Sequence, residues 1–379
     1  MTATTTPPGF ILVDRHIEKN AGSTFRELLF QSERRGLCMY WGYQQRSIAW
    51  TSFLSAMDRL NSSSTPPRIC MEAHSHIDYG IPWLKRLEQL HEMRAKLQAH
   101  RELRTKIVML LRLRSPLRLY VSYYLWTVAE RQARAPKRFG SDFESWARTV
   151  PNLQTELLLS SKAAFAASFA PLGHPDLVAW RQRWSTPDRI AKRRSYAKRV
   201  VATFDVLGTT ERFPESTLLV GRLLNWSTFD CVPNPEKADM APQPAETCMN
   251  RRAWQPSNRM WWCRDPSRPA DAERRRVHQR VCPNVTRCRE LISEIAPVDE
   301  ELYQHAKDHL DRAVAAAGPR LQDDLRLYRD LTTKGSTAAT KAHYLSHARQ
   351  RCAWRRLKPL LIGGPRLEAD GRRLVWQAQ

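Results

Sequence analysis

Apolar residues in this chain fall into short runs separated by amphipathic stretches. Residues 9–14 (GFILVD) form a continuous apolar run of strand length, followed by a polar, glycine-containing turn and an amphipathic segment over 23–35. Thr24 with Glu27 three residues on has the spacing of a capping box, and Gly36 stands where a helix C-cap glycine belongs. Residues 61–67 (NSSSTPP) read as a linker, 68–73 (RICMEA) as a second strand, and 83–104 as a helix with Leu84, Leu87, Leu90 and Leu97 on its apolar side. The clearest strand is 106–111 (KIVMLL), because an uninterrupted apolar run bounded by charges is what a parallel strand covered on both faces requires. Ser115 and Pro116 then occupy N-cap and N1 positions of a helix running to about Glu130. A third strand, turn and helix follows, with the strand at 204–208 (FDVLG) and the helix continuing through Leu224. Strands alternating with helices predict an α/β fold with a parallel sheet flanked by helices.

The remaining chain departs from this rhythm. Residues 225–289 are rich in Cys, Trp and Pro, hold five of the eight cysteines, and are expected to form an irregular, disulfide-braced insertion. No Cys-x-x-Cys pair occurs among them, which disfavours zinc. Residues 299–317 are helical in period, and 334–379 carry ten Lys/Arg against two acids. The expected organisation is a flexible 1–8, one domain over 9–330 containing the 225–289 insertion, and a basic tail over 331–379.

Composition narrows the class. With 61 Lys+Arg, 38 Asp+Glu, a formal charge of +23, 42% apolar residues and 13 Trp, the chain has a core and asks for an anionic partner. No apolar run approaches the roughly 18–20 residues that span a bilayer. The Thr/Pro-rich start has no secretory h-region. Eight cysteines and Asn-x-Ser/Thr sequons at Asn61, Asn225 and Asn284 nevertheless suit an oxidising, glycosylating lumen. The two signals conflict. The expectation that reconciles them is a luminal domain whose N-terminal anchor is missing from this sequence; the competing one is a soluble intracellular protein whose sequons arise by chance.

Two stretches carry candidate chemistry. In residues 16–25 (HIEKNAGSTF) a strand delivers the chain through a short turn into a helix, which aims backbone N–H groups and the positive end of the helix dipole at one spot. Lys19 adds a mobile charge, and Ser23 and Thr24 add hydroxyls. The nucleotide-triphosphatase pattern Gly-x4-Gly-Lys-Ser/Thr is absent, so the loop is P-loop-like only. At the end of the 106–111 strand stands Arg114, with Arg118 and Ser122 spaced i, i+4 on the following helix, where a guanidinium fork and a hydroxyl can meet one anion. Either stretch alone is equally a capped turn; their pairing in one sheet favours an anion site. Glu72, His74 and His76 alternate along the second strand and share one face if it continues through them.

HIEKNAGSTF followed by LLRLRSPLRLYVSYY resembles the two cosubstrate-binding motifs of the Golgi carbohydrate sulfotransferases. His74-Ser75-His76 is similar to the His-x-His of the uronyl and heparan sulfate 2-O-sulfotransferase branch. VLGTTERFPES, PNLQTELL and VDEELYQHA resemble further segments of the family, so the likeness covers about residues 10–310. It implies a sulfotransferase fold and a site for 3′-phosphoadenosine 5′-phosphosulfate (PAPS) as cosubstrate, without a metal. Lys19, Asn20, Ala21, Gly22, Ser23 and Thr24 would hold the phosphosulfate end, and Arg114 and Ser122 the 3′-phosphate. His76, then His74, would take the acceptor's proton, with Lys19 on the bridging oxygen. The same likeness implies an acidic glycan as acceptor and the Golgi lumen as location, the membrane being engaged only through an N-terminal anchor. The chain departs from the family where Glu18 replaces the proline before the lysine, Ser115 replaces an aspartate, and Arg118 lies one position early. The alternative is a non-catalytic polyanion-binding protein on the same scaffold, using basic stretches such as 181–199. Nucleic-acid binding is the third possibility, without a recognition motif to support it.

Overall fold

The computed structural model describes residues 9–42, 50–61, 67–74, 81–99, 105–134, 136–139, 142–232, 281–333, 366–367 and 374–375. Five parallel strands, β1 (Gly9–His16), β2 (Met39–Trp41), β3 (Arg68–His74), β4 (Thr105–Leu113) and β5 (Val206–Thr209), form one sheet in the order β2-β3-β1-β4-β5. Val13 of β1 lies level with Met71 of β3 on one side and Met109 of β4 on the other, and the strand ends bring His16 level with His74.

Both faces of the sheet are covered, which is why β1 and β4 read as unbroken apolar runs. Side chains alternate across the sheet, so Ile11, Val13, Met71 and Met109 enter one core and Phe10, Leu12, Cys70 and Val108 the other. The first core is closed by helices that include α2 (Trp50–Asn61), α3 (Trp83–Ala99) and α4 (Pro116–Tyr123). α1 (Gly22–Arg34) and the helices Phe213–Leu224 and Pro319–Thr333 close the second. Gly36, in the left-handed region at φ 76°, ends α1 with paired bonds from Gly36 N–H to Glu33 O and from Leu37 N–H to Ser32 O, as the sequence predicts.

Several boundaries differ from the sequence reading. β1 runs on through Arg15 and His16. α1 begins at Gly22 behind Ala21, with no side-chain cap, so Thr24 is already helical and the expected Thr24/Glu27 box does not form. α3 is described over Trp83–Ala99, the rest of the expected 83–104 helix lying outside the described residues, and the strand expected at 204–208 is Val206–Thr209. Ser115 and Pro116 do open α4, but the helix passes through a π turn (Tyr124–Val128) and continues to Arg134. Both ends of the stretch expected to be irregular are helical, at Thr228–Cys231 and Val285–Ile295. Cys282–Cys288 is a disulfide there. Cys231, expected to brace the insertion, is a buried free thiol packed on Gly221. A second disulfide, Cys38–Cys70, fastens the chain entering β2 to β3. Cys248, Cys263 and Cys352 lie outside the described residues, as does most of the basic tail. Among the described residues no helix is long and apolar enough to cross a membrane.

Candidate functional site

The chain leaves β1 toward one edge of the sheet and leaves β4 toward the other, so a crevice opens between the carboxyl ends of these adjacent strands. Both candidate stretches lie there. Lys19 and Ala21 take left-handed conformations, φ 68° and 60°, which fold residues 17–21 into a tight turn and start α1 immediately after it. Ser23 and Thr24, in the first turn of α1, are exposed, and Lys19 and Ala21 are half-buried. α1 has no side-chain cap, so its opening N–H groups lack the bond that a capping side chain would make. Lys19 extends so that its Nζ lies 5.3 Å from the centre of the Trp126 ring on the π turn.

The two stretches are joined by direct bonds. Arg114 Nη1 donates to the Lys19 carbonyl at 2.8 Å. Asn20 turns its side chain inward, and its Nδ2 donates to Arg112 O at 2.9 Å and to Gln154 Oε1 at 2.8 Å. Gln154 also accepts from Arg114 N–H at 2.8 Å and donates through Nε2 to Arg114 O at 3.1 Å. The buried Gln154 amide thus ties loop 17–21 to the end of β4. Its own helix, Leu153–Ala167, is anchored from the far end of the chain: Asp299 accepts from the N–H groups of Gln154 and Thr155, while Asn152 Oδ1 accepts from those of Val298 and Asp299. Burial pushes the Asp299 carboxyl up to about 6, against hydrogen bonds from Thr155 and Gln154 that lower it. Ser122 is buried in the last turn of α4. Arg118 is exposed and faces Glu211 at 3.9 Å, and Glu211 also accepts from Ser115 N–H.

On the α1 face of the sheet lies a denser cluster. Glu72 of β3 accepts from Arg26 Nε at 2.8 Å and Nη2 at 2.6 Å, from the Tyr40 hydroxyl, and from His16 Nδ1. Burial alone would push the Glu72 carboxyl up. The hydrogen bond and charge of His16, together with Arg26, reverse this and hold it well below the usual carboxylate range. The rings of His16 and His74 lie 4.1 Å apart, and His74 Nδ1 is 3.4 Å from Glu18 Oε1. Glu18 is therefore buried beside His74, and its charge also acts on Arg15. Arg15 points to the opposite face, where it donates to Ala73 O, Leu157 O and Ser161 Oγ and stacks on Trp83; burial first, then Arg86, lowers its pKa to about 9 against the pull of Glu18 and Asp14.

Ligand atoms of His16, Glu72 and His74 lie within 4.8 Å of one another, a spacing a metal can use. The donor chemistry does not fit one, because Arg26 and Tyr40 already occupy both Glu72 oxygens and place a guanidinium where a cation would bind. Of the predicted residues, the structure brings Lys19, Asn20, Ala21, Gly22, Ser23, Thr24 and Arg114 into one crevice, and puts His74 on the same face as Glu72. His76 lies outside the described residues. Missed at the sequence level were His16, Arg26 and Gln154. The strand register that joins His16 to β3 has no local signal, whereas Gln154 stands inside the PNLQT segment. A scan of the chain against protein-family models finds no match, and neither does a search among curated proteins.

Proposed function

We propose that the chain is a sulfotransferase that moves a sulfuryl group from PAPS to a hydroxyl of an anionic glycan. The observation that carries the reading is the bond between Arg114 and the Lys19 carbonyl, which unites at one crevice two anion-binding stretches about 95 residues apart in sequence. One nucleotide with phosphates at both ends matches such a pair: loop 19–24 receives the phosphosulfate on its N–H groups and hydroxyls, and Arg114 receives the 3′-phosphate. Lys19 neutralises charge that grows on the leaving phosphate, and most of the catalysis is positioning and electrostatics. A histidine of the cluster around Glu72 takes the proton of the acceptor. Glu18, next to Lys19, is buried with its carboxylate 3.4 Å from His74 Nδ1.

The polyanion-binding alternative rests on the basic run 181–199. Of the eight Lys/Arg in 181–199, Arg183 and Arg193 pair with the buried Glu156, and Arg194 and Lys198 pair with Glu301. The Glu301 pairs are solvent-exposed and weak, so only Arg183 and Arg193 are drawn toward a buried carboxylate. Transfer of labelled sulfate from PAPS across a panel of glycans, with Lys19→Ala as control, tests the proposal. Salt-sensitive heparin binding with no transfer by folded protein would replace it with the binding reading.

A further inference from the structure

Resting on the sulfotransferase reading, we infer that Nε2 of His16 is the proton acceptor in transfer, with Glu72 as its orienting carboxylate and Gly22 as the residue that lets the ring reach the loop. Two observations support this role. First, Glu72 is fixed on both oxygens by Arg26 and Tyr40, so it presents a rigid acceptor to His16 Nδ1. An imidazole that donates from Nδ1 to a carboxylate keeps the Nε2 lone pair for a substrate proton, the arrangement that prepares the base in hydrolase triads. Second, that Nε2 lies against the first residue of α1. A Cβ added at Gly22 would stand 1.8 Å from His16 Nε2, 2.0 Å from Cδ2 and 2.2 Å from Cε1, so only glycine lets the ring lie beside the turn that receives the sulfuryl group.

The step balances without another reagent. The acceptor oxygen forms its bond to sulfur as its proton passes to His16 Nε2. The bond from sulfur to the bridging oxygen breaks, and that electron pair leaves with adenosine 3′,5′-bisphosphate (PAP). The ionisable groups facing His16 are Glu72 and His74 from β3, Arg26 from α1, Asp14 from its own strand, and Tyr40 from β2 through Glu72. Their combined field enters the pH response.

The experiment combines calorimetry with PAP, transfer kinetics against pH, and histidine NMR on the full chain. Expected for His16→Gln is PAP affinity within threefold of wild type, kcat lower by about 10²- to 10⁴-fold, and loss of the acid limb of kcat. Normal PAP binding with undiminished kcat in His16→Gln overturns the assignment and leaves the sulfotransferase reading standing. Absence of PAP uptake by folded wild type overturns both. Should the variant fold poorly, wild type labelled with ¹⁵N-histidine decides. The imidazole with contacts to the Gly22 α-protons is expected as the Nδ1–H tautomer above neutral pH, and the Nε2–H tautomer there overturns the assignment.

Discussion

Replacing Gln154 by methionine removes the joint between the two halves of the crevice while nearly conserving side-chain volume. Three hydrogen bonds disappear, those from Asn20 Nδ2, from Arg114 N–H and to Arg114 O. Asn20 keeps its bond to Arg112 O, so the cost concentrates on the Arg114 peptide groups, which lose partners at a half-buried position. At about 0.5–1.5 kcal/mol net per bond, and more where a group stays dry and unpaired, the loss comes to about 2–4 kcal/mol. For a domain of roughly 320 residues, at about 2.1 cal/mol/K of unfolding entropy per residue, that corresponds to a melting temperature about 3–6 °C lower. Binding suffers separately. If Arg114 loses its aim at the 3′-phosphate, about 1.5 kcal/mol of charge-assisted bonding goes with it, and PAP binds about tenfold more weakly. Differential scanning calorimetry and titration with PAP measure the two effects on one preparation. A variant that melts and binds like wild type refutes the clamp. One that melts early yet binds PAP normally refutes the role of Arg114 in holding the nucleotide.

Three further expectations follow from single features. Gly22→Ala forces the His16 ring off the turn, and overpacking there is expected to cost about 1–3 kcal/mol in urea denaturation; unchanged stability would mean the ring does not lie where described. Because burial raises Asp299 from its ordinary 3.8 to about 6, the folded chain holds that proton where the unfolded chain has released it. The contribution is full below about pH 3.8 and is lost as pH rises through 6, a swing of about 3 kcal/mol; the stability difference between wild type and Asp299→Asn is expected to change across that window and to be flat above it. Opening the Cys38–Cys70 bridge by a double alanine substitution releases a loop spanning 32 residues, an expected loss of about 3–4 kcal/mol by chain entropy. Equal stability of the variant and the oxidised wild type would argue against the bridge.

What could be read without coordinates follows from physics that is local in the chain. β1, β3 and β4 are legible because strands covered on both sides must be continuously apolar, and Gly36 because a helix ending in a left-handed residue selects glycine. The turn after β1 and the helix start after β4 are legible because small and polar residues, and a proline at the first helical position, interrupt the apolar runs there. β2, three residues long, is too short to show a period, and the start of α1 was misplaced because it depends on two left-handed residues that are not glycine.

The amino-acid sequence by itself determined an α/β sheet and a polar turn into a helix after each of β1 and β4. Only the tertiary structure decided that they share one crevice, since their meeting depends on β4 lying beside β1 and on Gln154, 40 residues beyond Arg114, closing the gap. The pairing of Glu72 with His16, and of Glu18 with His74, likewise depends on the register of β1 against β3. Such contacts link residues 56 apart in the chain, and no local preference encodes them. They exist because burying a carboxylate requires a donor, and the folded sheet is what supplies one.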